Sequence, residues 1–182
     1  TVSESGSGNG AKGLVNAACD IGNMSRFMKD KEAAAAIENG VIPVAHVVAL
    51  DGLPIIVHPS NPLKGLKIEQ IRDIFMGKIT NWSELGGPDL DIVVISRDTN
   101  SGTYETFENI IMTHKNDECE NVRERIMRGA EYVSSNGGMR QRVQSTPAAI
   151  GYAGIGFLDD SIKALSVNGV LPTRGTVQTG EY

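Results

Sequence analysis

The amino-acid sequence predicts an α/β protein with a parallel-rich sheet flanked by helices. Three observations support this. Short apolar runs alternate along the chain with segments whose apolar residues recur at helical spacing. Glycine and small polar residues fill the loops between them. One run, residues 92–95, is apolar throughout, as is typical of a strand covered on both faces. A length of 182 residues allows one medium domain or two small lobes.

The first part of the chain, up to residue 58, is predicted to alternate strands and helices. Strands are expected at residues 1–5, 20–24, 41–50 and 53–58, and helices at residues 11–18 and 31–39. Ala11, Leu14, Val15 and Ala18 lie on one face of the first helix. Asn39-Gly40 is a typical end for the second helix, and the prolines of residues 59–62 end the last strand.

The second part shows the same alternation. Helices are predicted at residues 68–77, 104–111 and 122–127 and from Asn136 to Pro147, and strands at residues 92–95, 150–155 and 162–167. Ile71, Ile74 and Phe75 form the apolar face of the first of these helices. Trp82 lies in a short turn, where we interpret it as a packing residue under a loop.

The segment between the strand at 92–95 and the following helix is the strongest indication of function. It contains Arg97, Ser101, Gly102 and Thr103. The first N–H groups of a helix lack internal acceptors and attract negative charge. A guanidinium adds paired donors, two hydroxyls add further donors, and glycine lets a ligand approach the backbone. This pattern predicts an oxyanion site, although Ser101 as a simple N-cap, or Arg97 paired with Asp98 or Glu105, would also explain it.

A second segment with the same chemistry lies upstream. Residues 5–12 form a glycine- and serine-rich turn before a helix, and Ser25-Arg26 follows the strand expected at 20–24. In open α/β sheets, ligands bind at the carboxyl ends of strands. Because the two segments lie in different parts of the chain, the sequence predicts an anion held between two lobes.

Composition restricts the alternatives. Hydrophobic residues make up 40%, charged residues 21% and aromatic residues 5%, and the net charge is −5, which argues against nucleic-acid binding. No apolar run approaches the ~20 residues of a membrane-spanning helix. The chain begins without Met and without a signal peptide, so we expect a core fragment of a longer protein. Cys19 and Cys119 are expected to be free thiols, with a disulfide left open.

The sequence offers less support for the hypothesis that the protein is an enzyme. Glycines 8, 10 and 13 match G-x-G-x-x-G, so an NADP-dependent oxidoreductase using residues 8–13 is an alternative, but no acidic residue ends the expected second strand. A phosphate-ester hydrolase would need a constellation of Asp, His or metal ligands, and the three histidines are scattered. We therefore predict no catalytic residue, no metal site and no cofactor. A phosphate sensor without a transport role is a further alternative.

The chain resembles the phosphate-binding subunits of high-affinity phosphate ABC transporters, which have a type II periplasmic-binding-protein fold. The matching stretches are Gly6 to Gly8 with Gly10 and Lys12, residues 20–26, residues 51–62, residues 74–82, Ser96 and Arg97 with residues 101–103, and residues 149–152. The resemblance implies two lobes, a first lobe formed by residues 1–58 and 149–182 and a second formed by residues 59–148. Relatives extend further at both ends, so the first lobe is expected to be incomplete.

The resemblance also implies a function. Phosphate would be bound in the cleft by Ser7, Ser25, Arg97, Ser101, Gly102 and Thr103, and delivered to a membrane permease. The location implied is periplasmic or extracellular, with or without a lipid anchor on the full-length protein. Some relatives carry Asp where Ser25 stands, so rejection of sulfate by that carboxylate cannot be carried over. An incomplete first lobe leads us to expect self-association of the fragment, and phosphate binding that is weak or absent.

Overall fold

The computed structural model describes residues 7–182, which form an α/β fold as predicted. The strand expected at residues 1–5 lies outside the described residues. The α-helices are α1 (Ser7–Val15), α2 (Asp30–Glu38), α3 (Ile68–Met76), α4 (Gly102–Phe107), α5 (Asn136–Gln144) and α6 (Arg174–Thr179). A π-helix, Glu108–Met112, continues α4, and 3-10 helices cover Trp82–Leu85 and Ile155–Phe157. The strands are β1 (Ile55–Val57), β2 (Gly65–Leu66), β3 (Val93–Arg97), β4 (Thr113–Lys115), β5 (Asn121–Arg123), β6 (Glu131–Val133), β7 (Ala149–Tyr152) and β8 (Lys163–Val167).

A six-stranded sheet organises the described part of the chain, in the order β2-β8-β1-β7-β3-β6. The pairings β2–β8, β3–β7 and β3–β6 are parallel, whereas β1 is antiparallel to both of its neighbours. The sheet is therefore mixed but mostly parallel, in agreement with the predicted class. Strands β3 and β6 end side by side, with Arg97 opposite Val133, so the loops that follow both strands leave the same edge of the sheet.

Both faces of this sheet are covered by apolar side chains. Ile55 and Val57 point to one face, where they join a core with Phe75, Phe107 and other residues of the helices. Ile56 points to the opposite face, where a second core contains residues of α5. This division follows the two-residue period of a strand, and it explains why β1 is apolar at every position.

The six-stranded sheet contains strands from both predicted lobes. Strands β7 and β8, assigned from the sequence to the first lobe, pair in the same sheet as β3 and β6, which were assigned to the second. Strand β1 also lies in this sheet, between β7 and β8. The reason is that β7 provides a parallel partner for β3 and an antiparallel partner for β1, so all three are hydrogen-bonded together. The division into two lobes at residues 58/59 and 148/149 stays a prediction.

Three predicted elements differ in the structure. Residues 20–24 and 41–50 are not strands, and residues 122–127 are not a helix. Residues 121–123 form β5, which pairs with β4 in a hairpin. Within the described chain, residues 20–24 and 41–50 have no strand beside them to accept ladder hydrogen bonds. Apolar side chains of the second stretch are consequently exposed, Val48 by 95%. Self-association through this part of the molecule stays a prediction.

Most other elements lie where the sequence predicts them. Helix α3 ends at Gly77, whose φ of 78° is a left-handed conformation that favours glycine. Helix α2 ends at Asn39, and Gly40 follows with a φ of 80°. Helix α5 begins at Asn136 rather than being capped by it. The N-cap is Ser135, whose hydroxyl accepts a hydrogen bond from the N–H of Gly138 at 2.9 Å.

Trp82 is fully buried, and its indole N–H donates to the carbonyl of Ala148 at 2.9 Å. We expect Trp82→Phe to lower the free energy of unfolding by about 1–2 kcal/mol, through a lost hydrogen bond and a small cavity. The loss of stability stays moderate because the Ala148 carbonyl also accepts a hydrogen bond from the N–H of Val93. Urea denaturation measures the change in the free energy of unfolding. Tyr132→Phe, which removes one exposed hydroxyl, is the control, and equal stability of both variants would contradict the packing role.

Candidate functional site

The six residues proposed from the sequence lie around a single cleft. It separates the N-terminal segment, residues 7–40, from the main body, residues 53–182. The lining residues are Ser7, Asn23, Met24, Ser25, Asp51, Arg97, Asp98, Ser101, Gly102, Thr103, Ser134, Ser135 and Asn136. Its volume of about 690 Å³ is far more than a small oxyanion fills. The cleft is therefore larger than a cage fitted to one small oxyanion, although its two sides are in contact at one end.

Arg97 lies at the carboxyl end of β3, and only 8% of it is exposed. Its side chain is held by the loop that leads from β6 to α5. Nε donates to the carbonyl of Val133 at 3.2 Å, Nη1 to Oδ1 of Asn136 at 2.8 Å and Nη2 to the carbonyl of Ser134 at 2.9 Å. A guanidinium has five N–H donors, so two of them are left for a ligand.

No carboxylate of residues 7–182 forms an ion pair with Arg97, so neither Asp98 nor Glu105 neutralises its charge at contact distance. Burial lowers the pKa of Arg97 below its ordinary value, and the nearby charge of Asp98 opposes this change. A buried cation that is hydrogen-bonded only to neutral groups is costly. An anion in the cleft would relieve that cost.

Tyr152 supports the backbone beneath Arg97. Its hydroxyl lies 2.9 Å from the hydroxyl of Ser96 and accepts a hydrogen bond from the N–H of Arg97 at 3.2 Å. The ring stacks on Phe107, with centroids 4.0 Å apart. Burial raises the pKa of Tyr152 to about 12, so the hydroxyl stays neutral. The end of β3 is thereby tied to the helix that starts at Gly102.

Ser101 is the N-cap of α4, as one reading of the sequence suggested. Its Oγ accepts a hydrogen bond from the N–H of Tyr104 at 3.4 Å, and the residue is 5% exposed. This role uses the oxygen as an acceptor and leaves the hydroxyl proton available. The N-cap and anion-binding readings of Ser101 are therefore compatible. Gly102 and Thr103 follow in the first helical turn, where N–H groups have no intrahelical acceptor.

Ser7 and Ser25 reach this helix start from the opposite side of the cleft. Their hydroxyl oxygens lie 3.1 Å apart, and the N–H of Ser25 donates to Oγ of Ser7, also at 3.1 Å. Ser7 is 6% exposed, whereas Ser25 is exposed. A Cβ on Gly102 would lie well inside van der Waals contact with both hydroxyls. Glycine at position 102 thus allows the two sides of the cleft to meet.

The glycines of the G-x-G-x-x-G match have a different role. Gly8, Gly10 and Gly13 lie inside helix α1, not in a turn between a strand and a helix. A Cβ on Gly10 would press against the backbone of Asn23, and one on Gly13 against Cys19. These two glycines allow close packing of α1 on the following segment. The geometry does not support a dinucleotide site here.

Other chemistry has little basis in the described residues. Among residues 7–182, no cluster of three His, Cys, Asp or Glu side chains has the arrangement of a metal site. Cys19 and Cys119 are exposed and unbonded, as expected. For this same part of the chain, no helix has the length and apolar character needed to cross a membrane.

Sequence reasoning missed the residues that orient Arg97. Ser134 and Asn136 come from the loop between β6 and α5, about 40 positions away, and Tyr152 from β7. The sequence offered one signal, the polar run 134–136 at a helix start. The pairing of β3 with β6 that brings it to Arg97 is visible only in the fold. Arg26, which follows Ser25 in the chain, forms ion pairs with the carboxylates of Glu32 and Glu105.

Comparison with known proteins agrees with this geometry. A model described as a PBP superfamily domain matches residues 1–182. Among curated proteins, the phosphate-binding protein PstS of Bacillus subtilis is 35% identical and that of Borreliella burgdorferi 32% identical over the whole chain. The chain spans 56% and 64% of the lengths of these two relatives.

Solved structures give the same result. A putative phosphate ABC transporter substrate-binding protein from Clostridium perfringens, with bound phosphate, has a TM-score of 0.82 at 37% identity, covering 97% of this chain and 67% of that one. An ABC-type phosphate transport receptor from Vibrio cholerae has a TM-score of 0.75 at 30% identity, covering 100% of this chain and 70% of that one. The chain therefore belongs to the PBP superfamily, where its relatives include phosphate-binding proteins of ABC transporters.

Proposed function

We propose that the cleft binds inorganic phosphate through Ser7, Ser25, Arg97, Ser101, Gly102 and Thr103. The observation that carries this proposal is the state of Arg97, a buried guanidinium with two N–H donors to spare and, among residues 7–182, no carboxylate in an ion pair with it. Such a cation at the wall of a cleft favours an anion with several oxygens. Donors contributed from both sides of the cleft suit a tetrahedral oxyanion.

The two sides offer different donors. The main body supplies Arg97, the hydroxyls of Ser101 and Thr103, and the N–H groups at the start of α4. The N-terminal segment supplies the hydroxyls of Ser7 and Ser25. A ligand that satisfies both sets would strengthen the contact between the segment and the main body, and its release would weaken that contact. No covalent step is required, so the chemistry is that of reversible binding rather than catalysis.

The relatives extend the proposal to transport. They are named as phosphate-binding proteins, and two solved relatives are named as components of ABC phosphate transport. By analogy, the full-length protein would deliver phosphate to a membrane permease from a periplasmic or extracellular position. The second candidate role for the full-length protein is that of a phosphate sensor, which would use the same cleft without a permease. An NADP-dependent reaction has no support from the geometry of residues 8–13.

Calorimetric titration tests the binding step directly. Phosphate, sulfate and arsenate are titrated separately into the chain at neutral pH. We expect phosphate and arsenate to bind with similar affinity, because both are tetrahedral and both keep an ionisable proton. A chain that binds none of the three would overturn the proposed function.

Selectivity against sulfate gives a further prediction, because no carboxylate stands at position 25. In Ser25→Asp we expect the ratio of phosphate to sulfate affinity to rise roughly tenfold, since the carboxylate can accept a proton from hydrogen phosphate but meets only repulsion from sulfate. Ser25→Asn, which has the same size without the charge, is the control. A ratio that rises equally in both variants, or in neither, would rule out the proton-acceptor argument for this site.

A further inference from the structure

An ion-pair cluster joins the two sides of the cleft beside the proposed anion site. Glu105, in the first turn of α4, contacts two cations of the N-terminal segment. Its Oε2 lies 2.5 Å from Nε of Arg26, and its Oε1 lies 2.5 Å from Nζ of Lys29. The side chains of Arg26 and Glu105 are only 13% and 21% exposed. Both carboxylate oxygens of Glu105 are thus used across the cleft.

The cluster continues into the N-terminal segment. Nη1 and Nη2 of Arg26 donate to the two carboxylate oxygens of Glu32 at 2.8 and 3.0 Å, and Nη1 also donates to the carbonyl of Phe27. Glu32 accepts from the N–H of Lys29 at the start of α2. The Arg26 side chain is therefore fixed within its own segment, so a contact with Glu105 orients the whole segment rather than one flexible side chain.

We infer that Glu105 is a positioning residue that holds Ser25 and Ser7 against the start of α4. Arg26 directly follows Ser25 in the chain, and Glu105 lies three residues after Gly102, so the ion pairs and the serine contacts are adjacent. In the described residues, ion pairs across the cleft are formed by Glu105 alone. This role rests on the proposed function only in that Ser7 and Ser25 are members of the proposed site.

Because of its position, we expect the cluster to stabilise the contact across the cleft more than an ordinary surface ion pair would. Isolated exposed ion pairs contribute little and are screened by salt. Here one carboxylate contacts two cations. The side chains of Arg26 and Glu105 are mostly buried, whereas that of Lys29 is 60% exposed, and Glu32 already fixes the geometry of Arg26. Burial raises the pKa of Glu105 and the contacts with Lys29 and Arg26 lower it, with a net decrease, so the carboxylate is ionised at neutral pH.

The two native cysteines provide a measurement that needs no ligand. Cys19 lies in the N-terminal segment and Cys119 in the main body, both exposed, and the chain contains no other cysteine. With a spin label on each cysteine, double electron–electron resonance measures the distance between the N-terminal segment and the main body. We expect Glu105→Gln to lengthen or broaden the distance distribution without phosphate, and to weaken phosphate binding roughly three- to tenfold.

Glu131→Gln is the matched control, because Glu131 forms a bidentate ion pair with Arg142 away from the cleft. It should leave both measurements unchanged. Raising the salt concentration should widen the distance distribution of the native chain. This measurement needs no variant, so it does not depend on whether a variant folds. Distances in Glu105→Gln and in high salt that match the native low-salt chain would overturn the inference. A changed distance in a chain that binds no phosphate would refute the proposed function and support the positioning role.

Discussion

Arg97→Ala is expected to weaken phosphate binding by about 2–4 kcal/mol, or about 30- to 1000-fold. The substitution removes the buried cation of the site, and with it both N–H donors that are free to meet an anion. The loop at residues 133–136 also loses the hydrogen bonds that it makes with the guanidinium. Isothermal titration with phosphate measures the loss of affinity. Urea denaturation measures the change in the free energy of unfolding independently of binding.

Arg97→Lys separates charge from geometry. Lysine keeps the cation but cannot reach Asn136 and two carbonyls while also presenting two parallel N–H groups. We expect it to recover only part of the lost affinity. Arg140→Ala is a control, since Arg140 pairs with Asp159 on the surface away from the cleft. Native affinity in Arg97→Ala would refute the assignment of Arg97 as the charged arm of the site.

Gly102→Ala is the second substitution with a large expected effect. A Cβ at this position would overlap the hydroxyl oxygens of Ser7 and Ser25 and approach the Cβ of Ser7. Both hydroxyls would have to move away from the start of α4, so the donor set could not assemble around one anion. We expect affinity for phosphate to fall at least 100-fold, or about 3 kcal/mol, while the fold of the main body is retained.

Gly8→Ala provides the control for this experiment. Gly8 lies in the first turn of α1, next to Ser7, but a Cβ there meets no atom of the part of the chain that the structure describes within 4 Å. Alanine is the better helix former, so stability should be equal or slightly higher and phosphate affinity unchanged. If Gly102→Ala bound phosphate as tightly as Gly8→Ala does, the close contact across the cleft would have no part in binding.

Local patterns in the sequence predicted much of the fold. Ile71, Ile74 and Phe75 recur at helical spacing and form the buried face of α3, and Gly77 ends that helix in the conformation expected of it. The apolar run at 92–95 is a central strand. These predictions succeed because helical period, helix ends and burial on both sheet faces depend on residues close together in sequence.

The same local reasoning failed where a neighbour decided the structure. Residues 41–50 have the composition of a strand, but a strand needs a partner for its backbone, and the described chain provides none beside them. Residues 121–123 pair with β4 although their sequence suggests a helix. The pairing of β7 with β1 and β3 also joins residues far apart in the sequence, so local patterns do not predict it.

Some features of the candidate site can likewise be predicted from the sequence, and others are visible only in the tertiary structure. Its donors, Arg97 with Ser101 to Thr103 and the serines at 7 and 25, can be read from residue types at strand ends and helix starts, because free N–H groups and hydroxyls have a local origin. Only the tertiary structure placed Asn136 and the carbonyls of Val133 and Ser134 around the guanidinium, and Glu105 beside Arg26. Those contacts join residues far apart in the chain, and whether they form depends on how the sheet and helices pack.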